Sequence, residues 1–220
     1  MVVASVPGLM HRLCLIPALA LLAGCGGTEN DGNSAFRANG EVIAFSGGDG
    51  GAKAACATCH GLKGEGDGRL TPRLAGLDPG YLQRQLDDYA SGRREHEAMR
   101  AIALRLRGED RARVSAYYAS LPATAAPAER TSALYTAKCA QCHGARAEGR
   151  GPGNPALVGQ SPAYIAAQIE AWRTGKRHDP AGVMMKVSRA LAPAEVRLLA
   201  SHGVAPSPPA RPPSIPAASR

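Results

Sequence analysis

The hexapeptide CATCHG at residues 56–61 returns as CAQCHG at residues 139–144, 83 residues later. Two cysteines and a histidine at one fixed spacing, placed twice, leave few folds and fewer chemistries open. The echo runs beyond the motif. Pro72 and Pro155, Leu74 and Leu157, Gly76 and Gly159, Tyr81 and Tyr164, Gln85 and Gln168, Gly92 and Gly175, and Arg94 and Arg177 keep the same offset, and Tyr89 is matched by Trp172. After a small insertion Met99 corresponds to Met184, each followed seven positions on by a leucine, Leu106 or Leu191. Self-similarity at a fixed period marks tandem structural units. The expected organisation is two small domains, residues 52–121 and 131–204, joined by the linker PATAAPAER at residues 122–130.

Within each copy the apolar residues recur at helical intervals. PGYLQRQLDDYASGRR and SPAYIAAQIEAWRTGKR open with proline and close near glycine, as helices start and stop. GEDRARVSAYYASLP and APAEVRLLASHG read as closing helices with acids near their positive ends. No run alternates as a strand would, so the expected class is all-α. Aromatic residues make up only 4% of the 220. A domain of ~80 residues with so few aromatics builds a thin core, which points to a bound group completing each interior.

Three chemistries compete for the motif. Paired cysteines suit structural zinc, but a Cys–Cys–His set supplies three ligands and neither copy holds a second cysteine pair. A redox disulfide would sit in a βαβ context, which is absent, and would leave the histidine idle. Covalent haem attachment uses all three residues, and this spacing specifically suggests it. Each thiol adds to one haem vinyl group, and the adjacent imidazole lies under the iron. Cys56 and Cys59 would attach one haem c and Cys139 and Cys142 a second, with His60 and His143 as iron ligands. For the opposite axial position the first copy offers Met99, and the second offers Met184 and Met185, with the leucine spacing favouring Met184. His96 and His178 lie nearby as alternative ligands.

The ends and the charge bear on location and partners. His11 and Arg12 precede an apolar run at residues 13–22, too short for a bilayer span and of signal-peptide length. The run ends in LAGC, which resembles a bacterial lipobox, so residues 1–24 would be a leader cut before a lipidated Cys25. Residues 25–51 read as a flexible tether and the proline-rich residues 205–220 as a disordered tail. The formal net charge of +8 favours acidic partners, but the basic residues are scattered among acids. Nucleic acid is therefore excluded as a partner.

With the motifs CATCHG and CAQCHG, the pairs PRLAG and PALVG, YLQRQLDDYASGRR and YIAAQIEAWRTGKR, and the downstream methionines assembled, the chain resembles dihaem cytochromes c of the cytochrome c4 type over roughly residues 52–204. Those proteins are two class I cytochrome c domains in tandem. The resemblance implies two covalently bound haem c groups, axial pairs His60–Met99 and His143–Met184, and carbonyls of Pro72 and Pro155 accepting from the proximal imidazoles. It makes Arg94 and Arg177 candidates for pairing with haem propionates. The implied function is single-electron transfer between respiratory-chain partners in the periplasm, on a lipid anchor. The alternative is the electron-accepting cytochrome subunit of a periplasmic dehydrogenase, so oxidase, reductase and dehydrogenase are the partner classes. The second copy has LLASHGVA where the first has SAYYASLP, and His202 stands for a tyrosine, so its last helix is expected to pack less well.

Overall fold

A computed structural model of the chain describes residues 39–123 and 131–200. The leader, Cys25, His202 and the tail lie outside the described residues, as do residues 25–38 of the tether and 124–130 of the linker. Every element of two or more turns among the described residues is helical, and the only β-pairing is two isolated bridges. No described helix is long and apolar enough to cross a membrane.

The first copy runs α1 (Gly40–Ser46), α2 (Ala57–His60), α3 (Pro79–Ser91), α4 (Glu97–Arg105) and α5 (Gly108–Ser120). The second runs α6 (Ala133–Lys138), α7 (Ala140–His143), α8 (Pro162–Thr174), α9 (Val183–Ala190) and α10 (Pro193–Leu198). The long helices α3 and α8 form where the apolar spacing predicts them. Asp78 and Ser161 side chains accept from the N–H groups of Tyr81 and Tyr164, proline occupies the first turn, and both helices stop at a left-handed glycine, Gly92 and Gly175. The first core gathers Tyr81, Leu82, Val114 and Tyr118 from α3 and α5 with Leu77 and Leu106 from the flanking loops. The second gathers Tyr135, Val158, Ile169, Leu191, Val196 and Leu199.

Residues 39–51 correct the tether reading. Asn39 caps α1 by accepting from Glu41 N–H, and Ile43 and Ala44 are buried in the first core. Phe45 meets Tyr117 of α5 edge-on, ring centroids 6.4 Å apart. Burying one isoleucine contributes ~1.5–3 kcal/mol toward docking two helical turns whose composition otherwise looks like linker. The second copy's packing also differs from expectation. Tyr135 of α6, only 1% exposed, enters its core, and its hydroxyl donates to the Gly144 carbonyl at 2.8 Å. An aromatic ring absent from the last helix is thus supplied by the first.

The two copies meet through a polar layer built from repeat-related residues. Arg94 and Arg177 form an antiparallel bridge, flanked by Glu95 N–H to Lys176 O and His178 N–H to Arg93 O, both 2.8 Å. Arg94 donates to Gln85 (2.9 Å), Gln168 (2.7 Å) and the Tyr164 hydroxyl (2.8 Å). Arg177 mirrors it toward Gln168 (2.8 Å), Gln85 (2.6 Å) and the Tyr81 hydroxyl (3.2 Å). Each guanidinium also lies over its own copy's aromatic ring, Tyr89 at 4.5 Å and Trp172 at 3.9 Å. The arginines are 5% and 4% exposed, and they tie the domains together.

Candidate haem sites

Each motif folds as one short helical turn, which is what puts its three side chains to common use. In α2 the His60 ring is buried, while Cys56 is half-buried against the first core and Cys59 is exposed. In α7 His143 is buried and Cys139 packs against the second core. No disulfide joins the four cysteines. Burial pushes the Cys56 and Cys139 thiols up to about 11, so both stay protonated at neutral pH and resist disulfide exchange.

The histidines are held for ligation. His60 Nδ1 lies 2.9 Å from the Pro72 carbonyl oxygen and His143 Nδ1 lies 2.8 Å from that of Pro155. A carbonyl only accepts, so Nδ1 carries the proton and donates it to this bond, and Nε2 keeps its lone pair for a metal. Burial lowers the affinity of both imidazoles for a second proton, which keeps that lone pair available. The two proline carbonyls stand where the sequence resemblance put them.

Four of the proposed site residues of the second copy share one cavity. Cys139, Cys142, His143 and Met184 line a space of about 410 Å³ together with Leu157 and Trp172. That volume is in the range of pockets holding cofactor-sized ligands, ~300–1,000 Å³. Met185 is not among its lining residues, whereas His178 is. Asp179 fixes the start of α9 by accepting from the N–H groups of Met184 and Met185, both at 3.2 Å. In the first copy Met99 is half-buried in the first turn of α4, whose N-cap is the exposed His96. His96 Nδ1 accepts from Met99 N–H at 3.2 Å, so that nitrogen serves the helix.

The donor set fits haem c and not zinc. No group of three or more His, Cys, Asp or Glu side chains that could cage a metal occurs among the described residues. Trp172 lines the second cavity, and its fully buried indole N–H has no protein acceptor. The Arg177 guanidinium borders the same cavity, and its charge is opposed by no carboxylate among its bonded partners. A haem propionate would give the indole N–H an acceptor and the guanidinium a counter-charge, since buried charges are stable only when paired. Sequence reasoning missed Trp172. Its cue was the conservation of aromaticity between the two copies at Tyr89 and Trp172.

Comparison with known proteins agrees with this geometry. The cytochrome c family model matches residues 48–122 and again residues 128–202. The thiosulfate dehydrogenase electron acceptor of Stutzerimonas stutzeri (strain A1501) is 37% identical over 183 residues, covering 75% of this chain and 85% of that protein. The cytochrome c4 of Thiocapsa roseopersicina is 30% identical over 168 residues, covering 69% and 86%. Among solved structures, the as-isolated thiosulfate dehydrogenase of Marichromatium purpuratum aligns with a TM-score of 0.65 at 35% identity, over 75% of this chain and 39% of that longer one. Reduced recombinant cytochrome c4 from Pseudomonas stutzeri aligns with a TM-score of 0.63 at 24% identity over 98% of its length, which speaks to fold alone. With two family matches in tandem, each holding a CxxCH turn, this chain belongs to the cytochrome c family, as a dihaem electron-transfer protein of the cytochrome c4 type with two covalently bound haem c groups.

Proposed function

We propose that this protein is the electron acceptor of a thiosulfate dehydrogenase, binding its haems through the axial pairs His60–Met99 and His143–Met184. The observation that carries the partner assignment is the 37% identity, over 85% of its length, to a protein of that role. Each haem c supplies a one-electron ferric/ferrous couple when bound. The chain's residues prepare that couple. The Pro72 and Pro155 carbonyls lock the imidazole tautomer, and the methionine thioethers favour the reduced metal and raise the potential. A dehydrogenase withdraws two electrons per turnover, and two sites in one chain take both.

The proposal extends to location. The leader ending at Gly24 would deliver the chain to the periplasm, and lipid on Cys25 would hold it at a bacterial membrane. Tethering raises the local concentration of membrane partners. Membrane fractionation of wild type and Cys25→Ser tests this, and release of the variant into the soluble periplasm is expected.

The assay for function mixes the oxidised holoprotein with a thiosulfate dehydrogenase and thiosulfate in a stopped-flow spectrometer. Reduction of both haems, dependent on enzyme and substrate together, is expected. Reduction by ascorbate with none by the enzyme system would sink the partner assignment. It would leave the second reading, a respiratory-chain carrier, which the 30% identity to a cytochrome c4 favours.

A further inference from the structure

The two histidine-to-proline bonds look equivalent, but the peptides that accept them are not. The Pro72 carbonyl shares its peptide group with the Arg73 N–H, which donates to Gln160 Oε1 at 3.1 Å. Gln160 Nε2 donates back to the Arg73 carbonyl at 2.8 Å. Arg73 Nη2 donates to the Val158 carbonyl at 2.9 Å, and Nη1 donates to the Ala75 carbonyl. Arg73 is 2% exposed and Gln160 is 8% exposed, so water does not compete for these bonds. Gln160 belongs to the second domain, held in the loop before α8 by its own N–H bond to the Leu157 carbonyl at 3.1 Å. A side chain of one domain therefore grips the peptide that orients the proximal histidine of the other.

The repeat shows that this grip is one-sided. At the same offset, Ala156 stands for Arg73 and Leu77 for Gln160. A methyl and an isobutyl group make no hydrogen bonds, so the Pro155 peptide has no such side-chain partner from the first domain.

We propose that Gln160 is a positioning residue for the first haem site, acting through the Pro72–Arg73 peptide on His60. Hydrogen bonds in a chain polarise one another, by about 10–30% per bond. Donation from Arg73 N–H to Gln160 draws electron density onto the Pro72 carbonyl oxygen. A stronger acceptor there pulls harder on the His60 Nδ1 proton and makes Nε2 a more basic ligand, which favours the ferric iron. The first site's potential is thus set lower while the two domains are docked. The inference rests on His60 as an iron ligand and not on the identity of the electron donor.

The test compares Gln160→Leu, which installs the residue the first copy carries, with Gln160→Glu, which keeps an acceptor for Arg73 N–H. Potentiometric titration of the holoprotein is followed by NMR resonances that separate the two domains. In Gln160→Leu the reduction equilibrium of the first haem is expected to move toward the ferrous form by at least threefold, about 28 mV for one electron. The His60 Nδ1 proton resonance should move upfield. Gln160 also borders the second cavity, so the second haem's potential should shift by less than the first, while the His143 Nδ1 resonance should hold. Gln160→Glu should keep the first potential at or below the wild-type value. An unchanged first potential in Gln160→Leu would overturn the proposal. Equal shifts at both sites, or a rise in Gln160→Glu matching that in Gln160→Leu, would do so too, because a loosened interface alone would produce either.

Discussion

Gly64 lies in the loop between the first motif and Pro72, with φ +68°. Its carbonyl accepts from Leu74 N–H (2.8 Å) and Ala75 N–H (3.1 Å), so the backbone there cannot swing aside. A Cβ at this position would sit 2.7 Å from Tyr118 Cδ1, 2.9 Å from Cε1 and 3.2 Å from the Ala75 nitrogen. Gly64→Ala therefore combines two costs. Left-handed backbone costs an alanine ~1–2 kcal/mol. Forcing a methyl against a buried ring costs ~1–3 kcal/mol. The expected loss is about 2–5 kcal/mol. The second copy separates the two contributions, because Ala147 occupies the equivalent turn at φ 60° with its methyl buried in the core. The turn itself accepts alanine, so the steric share in the first copy belongs to Tyr118. Urea denaturation of the holoprotein, followed by far-UV circular dichroism, should show Gly64→Ala/Tyr118→Leu losing at least ~1 kcal/mol less than the sum of the single variants. Strict additivity, or a Gly64→Ala loss below ~1 kcal/mol, would refute the argument from the ring.

Further outcomes are expected elsewhere in the molecule. Met184→Ala should abolish the methionine-to-iron charge-transfer band of one ferric haem, while Met185→Ala leaves both bands intact. Loss in the Met185 variant instead would reassign the ligand. Gln85→Leu removes an acceptor from both buried guanidiniums and should cost ~3 kcal/mol or more, read as an earlier denaturation midpoint. A change under ~1 kcal/mol would mean that water replaces the amide. Burial lowers the proton affinity of His60 and His143. The unfolded chain, with histidines near pKa 6.5, then takes up protons the native state refuses. Stability should be flat above about pH 6.5 and fall as the pH drops below it, and a flat profile down to pH 5 would contradict this. Lys138 borders the second cavity and exposed Lys186 lies on α9, where the first copy has Ala55 and Ala101. Charge reversal of both should slow reduction by an acidic partner and weaken its dependence on ionic strength.

What could be read from the sequence was whatever repeats. The motif turns, the long helices with their glycine stops, and the proline carbonyls all recur at one offset, and each has a local physical reason. Helix α1 was hidden because seven residues give too few turns for a period, and only Ile43 and Ala44 reveal its buried face. The roles of Arg94 and Arg177 were half visible. Tyr81, Gln85 and Arg94 repeat as a set with Tyr164, Gln168 and Arg177, but nothing local says that a charged residue turns inward to meet its own copy. The contact between Gln160 and Arg73 left no trace at all. It joins residues 87 positions apart, and neither has a counterpart in the other repeat.

That contrast separates two kinds of contact at the junction. The exchanged set of Tyr, Gln and Arg is nearly two-fold, so whatever field it applies to one haem it applies to the other. Symmetric contacts can hold the domains together but cannot make the haems differ. The unsymmetric contacts can. Arg73 with Gln160 and Val158, Arg84 with the Pro152 carbonyl, and Ser161 with the Arg69 carbonyl each occur once. Of these, only the pair at Arg73 is bonded to a peptide that touches a proximal histidine. If the two haems differ in potential, and a chain receiving electrons at one site and releasing them at the other needs that difference, the Arg73 junction is where the duplicated fold has broken its own symmetry to create it.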